Sequence, residues 1–400
     1  MYDLLVIGGG PGGATCARRA AMKGLDVVLI EKKVFSREKA CGGALSPRVI
    51  NTLDFDISKI IERRFEAAMI HRPSGQKSIL TRDDFKGHLI QRGHFDKYLL
   101  DKAKEAGVEV VEGTDILAID QLRKGIRALS VGDSFKGHLL VGADGVNGIS
   151  MKRLGIRNRW QNEEIAVCIS AEVLLEPSEV ERLMTMDESH QRYMIELYFG
   201  ITEWGYGWCF PKMDRLSIGL GCRVDKAKHL RDKWIKFLTK LENQKGIRFK
   251  LTKKTSFRVP LGGIQSRYIG RRSMLIGDAA GLVSPVSGEG ISFAIESGIL
   301  AAEVAVESVQ KKSPVHIIEY DRRLKKGLLR ELRNLRFIAG IMHKSNENIE
   351  RICSIADDDP VMREYLTDIL ARINTYSNLK LKITKQLLTH HPLKAIRLGL

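Results

Sequence analysis

Tyr2-Asp-Leu-Leu-Val-Ile-Gly-Gly-Gly-Pro-Gly-Gly-Ala14 opens the chain and decides how the rest is read. The short apolar run Leu4 to Ile7, bounded by glycines, predicts a buried parallel strand. It leads into Gly8-x-Gly10-x-x-Gly13 and then into a helical stretch, Thr15 to Met22. In such a turn Gly8 allows the bend, Gly10 lets the backbone approach a pyrophosphate, and Gly13 lets the helix pack on the strand. A second strand, Asp26 to Ile30, ends at Glu31, 18 residues after Gly13, where a ribose-binding carboxylate is expected. A glycine-rich turn without a ligand is the bland alternative. The agreement of strand, turn, helix, strand and terminal acid favours a dinucleotide.

Four hundred residues exceed one ordinary domain, so two or three intertwined lobes are expected. No charged segment followed by an apolar run precedes the first strand, which predicts no signal peptide. The most apolar long segment, Met274 to Val309, is interrupted by Asp278, Glu289, Glu296, Glu303 and Glu307, so it is not expected to span a membrane. A cytoplasmic protein follows, either soluble or peripheral at the inner face of the cell membrane. Six cysteines (Cys16, Cys41, Cys168, Cys209, Cys222 and Cys353) show no metal-ligand spacing, so free thiols and no metal are expected. The net charge of +17 is not matched by any nucleic-acid motif. An anionic membrane surface or substrate suits it better. Residues 311–400 alone carry 18 Lys and Arg against 10 Asp and Glu.

Beyond Glu31 a polar stretch leads to Ala40-Cys41-Gly42-Gly43-Ala44, a second small-residue loop able to approach a flat ligand. Cys41 could be a reactive thiol, a packing residue or a contact to a ring. Glu66 to Leu80, turning at Pro73-Ser74-Gly75, predicts a hairpin. Leu89 to Leu100 opens a helix carrying Phe95, Leu99, Ala103 and Ala106 on one face; Arg92, just before that helix, could cap a phosphate, but pairing with a carboxylate is the commoner role. Val108 to Val111 and Thr114 to Ile119 read as strands, and Phe135 to Leu140 leads into the turn Asp144-Gly145. From Ile165 to Val224 bulky strands predict an antiparallel sheet. It contains Trp204-Gly-Tyr206-Gly-Trp208-Cys-Phe210-Pro211-Lys212, which is either core or the wall of an apolar pocket. His229 to Lys245 is an amphipathic helix. Gly277-Asp278 ends a further strand, and Pro285-Val-Ser-Gly288-Glu-Gly290-Ile291 opens a helix to about Gln310, a second helix N-terminus suited to an anionic or carbonyl group. The remainder is helical, with Asp359-Pro360 as an N-cap. The basic, acid-free stretch from Leu379 to Leu400 could lie on a membrane or close a substrate pocket.

Glu31, Arg92, Asp144-Gly145 and Gly277-Asp278 with Pro285 and Gly290, together with the opening turn, resemble the glutathione-reductase-type FAD fold in its para-hydroxybenzoate-hydroxylase-like branch. Lys39-Ala-Cys41-Gly42-Gly43 and Tyr206-x-Trp208-x-Phe210-Pro211-Lys212 narrow the resemblance to geranylgeranyl reductases, especially archaeal ones that saturate membrane lipids. The resemblance implies an α/β fold with added antiparallel β structure. Its FAD-binding domain would comprise residues 1–160 with 255–312, including inserted strands at 63–82. An antiparallel substrate domain would occupy 161–254, and a helical region 313–400. It implies FAD contacts at Gly8, Gly10, Gly13, Ala14, Glu31, Cys41, Gly42, Ala44, Arg92, Ile116, Asp278, Gly288, Gly290 and Ile291. It puts the Cys41 loop beside the isoalloxazine, with Tyr206, Trp208 and Phe210 lining an isoprenoid tunnel. Cys41, Tyr206 and Trp208 are the catalytic candidates. Three positions depart from the family's pattern. Glu203 stands where a proline is usual, and the Asp-Gly turn, which in the family often continues with a Ser and an Arg, here has Asn147 and Lys152 nearby.

The implied reaction is saturation of isoprenoid C=C bonds by hydride from reduced flavin, coupled to protonation in a dry pocket. No second GxGxxG is present, so the electrons would come from an external donor: NAD(P)H, a reduced deazaflavin or a ferredoxin. The competing readings on this fold are a flavin monooxygenase or halogenase, an electron-transfer flavoprotein to quinone, and a non-catalytic lipid-binding flavoprotein.

Overall fold

The computed structural model describes residues 1–187, 192–262, 265 and 267–398. The last two residues of the basic C-terminal stretch lie outside them. The chain divides into two compact units: 1–39, 92–164 and 259–333 in the first, and 40–91, 165–258 and 334–400 in the second.

The first unit is built on a parallel sheet in the order Glu109–Glu112, Val27–Glu31, Tyr2–Ile7, Ser134–Gly142 and Ser273–Leu275. Gly125–Leu129 and Ala118–Leu122 extend it antiparallel from the first half of Ser134–Gly142. Leu4 to Ile7 and Val27 to Ile30 are buried throughout, as expected of strands covered on both faces. The Pro11–Ala21 helix starts earlier than its apolar pattern suggests, because Pro11 suits the first helical position. The strand expected from Thr114 begins only at Ala118. The Thr114 N–H donates to the Glu31 carbonyl (3.0 Å), which continues the pairing of Glu109–Glu112 with Val27–Glu31 rather than opening a new strand.

The second unit holds a sheet ordered Leu251–Pro260, Ile165–Leu174, Arg215–Arg223, Gly205–Pro211, Arg192–Tyr198, Ala67–His71 and Lys77–Thr81. The expected hairpin at 66–80 forms, but Ala67–His71 pairs in parallel with Arg192–Tyr198. It therefore extends this sheet rather than the nucleotide-type sheet. The second strand of the hairpin, Lys77–Thr81, is further tied to the C-terminal helices Asn346–Asp358 and Pro360–Leu370: Ser78 Oγ donates to Asp357 (3.2 Å), Thr367 Oγ1 to the Thr81 carbonyl (3.3 Å), and Arg82 just beyond the strand pairs with Asp368 at 2.5 Å. The 313–400 region is accordingly divided, with 334–400 belonging to the second unit.

Strand alternation gives this sheet two different faces. One carries Ile218, Leu220, Cys222, Cys209 and Tyr198, and it packs on Trp234, Phe237 and Leu241 of the Leu230–Lys245 helix. Inside that layer Glu196 is buried and fully paired, accepting from His71 (2.8 Å), Tyr198 (2.6 Å), Thr185 (2.8 Å) and Lys245 (2.5 Å). Burial would raise the pKa of its carboxyl, but these donors, His71 foremost, hold it far below the usual carboxylate range. The opposite face carries Tyr206, Trp208 and Phe210.

Candidate functional site

In the first unit the opening turn has the geometry of a phosphate cradle. Gly8 adopts φ +106°, and a side chain there would meet the Ala143 carbonyl at 2.4 Å, so the turn rests directly on the Ala143–Asp144 backbone. A Cβ at Gly13 would lie 1.9 Å from the Gly8 carbonyl oxygen, which is why the helix can start so close to the strand. Gly10 is the N-cap and Ala14 is buried in the first turn. Glu31 is buried, its carboxylate accepting from the Gly9 N–H at 2.7 Å and the Lys33 N–H at 3.0 Å. Ile116, 3% exposed, lies in the segment that follows the Thr114–Glu31 contact.

Arg92 is the first residue of the Arg92–Glu105 helix, and it forks onto the fully buried Asp96 with two 2.8 Å bonds. Of the two roles open to it, pairing with a carboxylate is the one observed. Arg37, not singled out from sequence, joins these parts. Its guanidinium lies 3.3 Å from Asp96 and 3.7 Å from Glu31, and it approaches the position of a Gly10 Cβ at 3.7 Å. Its buried Nε has no hydrogen-bond partner among the described residues. Only its place in a basic stretch after the second strand hinted at it.

Asp144 accepts from the Ser150 N–H at 2.8 Å, while its buried Oδ1 has no partner among the described residues. Burial pushes its carboxyl above the ordinary range despite that donor. Asp278 lies 3.6 Å from Lys39, and its Oδ1 would be 3.4 Å from a Cβ on Gly290, the N-cap of the 20-residue helix Ile291–Gln310. Gly288 has φ +68°, which turns the chain into that helix. The parts fit a flavin dinucleotide: glycine cradles that a Cβ would fill, a buried acid, a buried guanidinium with an unused donor, and a long helix opening beside a carboxylate.

In the second unit the two small-residue and aromatic stretches come together. A Cβ on Gly42 would lie 2.6 Å from the Phe210 ring and 3.3 Å from Trp208 Nε1. Gly43, at φ +83°, would meet the Ile90 carbonyl at 2.2 Å and Lys212 Cε at 3.4 Å. The Cys41 thiol accepts from the Gly43 N–H at 3.4 Å, and Ala44 begins the short strand Ala44–Leu45. The Cys41–Gly43 loop therefore lies on the side chains of Trp208, Phe210 and Lys212.

Two further glycines, missed from sequence, make room for this wall. Trp208 pairs with Gly219, and a Cβ there would fall 1.9 Å from the indole, so the ring lies flat over bare backbone. Tyr206 pairs with Gly221, whose other neighbour is Cys168, with Sγ 2.5 Å from the Cβ position. Alternating glycines inside a strand mark a close approach, and that was the available signal. Burial pushes the Cys168 thiol up to about 12 and raises the Tyr206 phenol above its ordinary value. The aromatic row runs on from Tyr206 to Phe199 (5.6 Å), and from Phe199 to His343 (6.3 Å). His343 stacks on Trp204 (5.3 Å), which lies under the Arg223 guanidinium (4.0 Å). Burial, with Arg223 nearby, lowers the His343 pKa to about 4, so the ring is neutral and behaves as part of an apolar lining.

The sequence is similar to the digeranylgeranylglycerophospholipid reductase of Methanococcus vannielii, with 27% identity over 373 residues and 90% of each chain covered. It is 28% identical to the geranylgeranyl diphosphate reductase of Rhodobacter capsulatus over 400 residues, covering 95% of each. The fold matches the crystal structure of a geranylgeranyl bacteriochlorophyll reductase-like protein from Thermoplasma acidophilum. That match has a TM-score of 0.80 at 23% identity and covers 95% of this chain and 98% of that one. Residues 1–310 match the family described as the FAD binding domain. With the glycine cradles, Glu31 and the Asp278 turn in place, the chain belongs to that FAD-binding family, and FAD is its cofactor.

Proposed function

We propose that the protein is an FAD-dependent reductase that saturates C=C bonds of geranylgeranyl groups, with archaeal-type digeranylgeranylglycerophospholipids as its substrates. The observation that carries this reading is the sheet face of the second unit. Trp208 lies over the backbone of Gly219, and Trp208 and Phe210 lie against Gly42 of the Cys-Gly-Gly loop, with Tyr206 on the same face of the strand, which makes an aromatic surface suited to an extended hydrocarbon. The names of the Methanococcus and Rhodobacter relatives agree with such a substrate.

Reduced FAD, when bound, supplies a hydride. Glu31 and the opening turn would hold its ADP half, and Asp278 with the Gly288–Ile291 turn the flavin half. The resemblance puts Cys41 and Gly42 at the reacting ring. Tyr206 and Trp208 would hold the isoprenoid chain, exclude water, and face developing positive charge with their π-systems. An external donor, whether NAD(P)H, a reduced deazaflavin or a ferredoxin, would recharge the flavin.

Among the described residues no helix is long and apolar enough to cross a membrane. The helices Tyr376–His390 and Pro392–Leu398 nevertheless expose Leu381 (83%), Leu388 (60%), Leu393 (70%) and Ile396 (69%) among lysines and arginines, with no acid nearby in sequence. Such a surface suits peripheral binding to an anionic bilayer, where the lipid substrate resides. The decisive experiment is anaerobic stopped-flow mixing of the photoreduced protein with unsaturated digeranylgeranylglycerophospholipid. Reoxidation of the flavin with formation of saturated lipid is expected. No reoxidation by any prenyl lipid would refute the reading, and a requirement for oxygen would favour the monooxygenase alternative.

A further inference from the structure

Not all of the excess positive charge lies in the C-terminal stretch. Residues 152–159, Lys-Arg-Leu-Gly-Ile-Arg-Asn-Arg, and 267–272, Arg-Tyr-Ile-Gly-Arg-Arg, are rich in cations and contain no acid. Both segments belong to the first unit, and the fold brings them together. Arg267 donates to the Gly155 carbonyl (3.2 Å), Arg157 donates to Gln265 (2.8 Å), and a Cβ on Gly270 would lie 3.5 Å from the Leu154 carbonyl oxygen. Arg157 is committed to the fold, paired with Glu164 and 4.6 Å over the Trp160 ring. Arg272 is half-buried and donates to the His138 carbonyl (3.5 Å). Lys152, Arg153, Arg159, Arg267 and Arg271 are exposed, and none of them pairs with an acid among the described residues. Other surface cations of this unit do pair, among them Lys104 with Glu112 (2.8 Å), Arg127 with Asp120 (2.6 Å) and Lys325 with Asp321 (2.5 Å). Like charges left together repel one another, and an anionic partner would offset that cost.

This surface adjoins the parts that would hold the flavin. The Ser150–Arg153 helix starts on Asp144, which accepts the Ser150 N–H at 2.8 Å. It packs against Gly277–Ala280, the turn that carries Asp278. Charge alone would suit a bilayer, a small anionic molecule or an acidic protein. No large apolar side chain is exposed among residues 150–160 and 267–273, in contrast to the leucines of the C-terminal helices, so the surface lacks what a bilayer contact inserts. Its five free charges stand on a short helix, the chain after it and a separate turn, all exposed, whereas a small molecule is held by groups converging in a cleft. Charge without an apolar centre suits a transient encounter with a soluble protein, the kind used between redox partners.

We infer that this surface docks an acidic electron-carrier protein, the external donor that recharges the flavin. The inference rests on the reductase reading above, which requires such a donor. Two reduced carriers in succession each give up one electron to the bound FAD and leave oxidised, and water supplies the protons that accompany the two electrons. The cations steer the carrier to the edge of the first unit beside Asp278, and the absence of apolar contact lets it leave after each transfer.

The test is anaerobic stopped-flow reduction of the FAD-loaded protein, without lipid, by two acidic probes, photoreduced ferredoxin and photoreduced flavodoxin. The wild-type second-order rate should fall about tenfold or more as salt rises from about 0.05 to 0.5 M. Arg153→Glu, Arg159→Glu and Arg271→Glu together should lower the low-salt rate about 10–100-fold and flatten its salt dependence. The same three positions changed to Gln should give an intermediate rate, and this variant decides the matter if the Glu variant melts early. Both should melt within about 2 °C of wild type. Lipid-driven reoxidation after photoreduction should be unchanged in both. Because reduction is read without lipid, reduction through this surface followed by no reoxidation with any prenyl lipid would refute the reductase reading and leave the docking surface standing. No reduction of wild type by either probe, or an equal loss of reduction by NADPH in the Glu variant, would overturn the assignment. A full rate in the Glu variant would also overturn it, and loss of its sedimentation with anionic vesicles would then give the surface to the bilayer.

Discussion

Substituting Gly219 by alanine tests the aromatic wall without touching any ring. The added methyl would fall 1.9, 2.2 and 2.3 Å from Cζ2, Cη2 and Cε2 of Trp208, well inside van der Waals contact. The backbone cannot retreat, because Gly219 is paired to Trp208 on one side and Ser170 on the other. The indole, 7% exposed, must swing instead. Overpacking of this kind costs about 1–3 kcal/mol. A value of about 2 kcal/mol lowers the melting temperature of a unit of this size by about 4–8 °C. Trp208→Ala alone should cost about 3–5 kcal/mol through the cavity it leaves. In that background the methyl of Gly219→Ala enters vacated space, so its cost should fall to within about 0.5 kcal/mol of zero and the coupling energy should approach 2 kcal/mol. Near-UV circular dichroism melts of the four proteins measure the cycle. Lipid-driven flavin reoxidation should fall about a hundredfold in Gly219→Ala, as a displaced positioning group predicts, with flavin content unchanged. Additivity of the two substitutions within 0.5 kcal/mol, the ordinary scatter for independent sites, would refute contact between ring and glycine as the cause.

Asp278→Ala should weaken FAD binding, read as a lower ratio of flavin to protein absorbance after purification; an unchanged ratio removes Asp278 from the cofactor site. His343 is held neutral, its pKa lowered to about 4, so it contributes stability that is present above its unfolded value of about 6.5 and lost as pH falls toward 4. His343→Phe keeps the stack on Trp204 and should flatten the pH dependence of melting across that window; a slope equal to wild type would count against it. Replacing Leu381, Leu388, Leu393 and Ile396 together by serine should abolish sedimentation with anionic vesicles while leaving the melting temperature within about 2 °C, since exposed positions change stability little. Retained sedimentation would move the membrane contact elsewhere.

The nucleotide turn was legible because its chemistry is local: Gly8, Gly10 and Gly13 meet a strand and a helix within a dozen residues, and Glu31 follows at a fixed distance. The aromatic strand and the Cys41 loop were legible as two separate motifs. Arg37 was not, because a basic residue in a polar loop has no periodic signature, and only its proximity to Glu31 and Asp96 gives it meaning. The hairpin at 66–80 was legible as a hairpin but not as part of the second sheet, since alternation fixes which residues share a face and not which strand they pair with.

The sequence by itself determined the cofactor class, because strand, turn and helix are short-range structures whose residues are read directly. The chemistry of the second unit was decided by pairing over longer distances. Strand 168–172 is far in the chain from 206–210 and 217–221, and only the register of the three sets Trp208 over Gly219, Tyr206 opposite Gly221 and Glu172 beside Lys212. A shift of one residue in the aromatic strand would turn the rings toward the Leu230–Lys245 helix. What the glycines at 219 and 221 leave open therefore depends on tertiary registry, which no local pattern encodes.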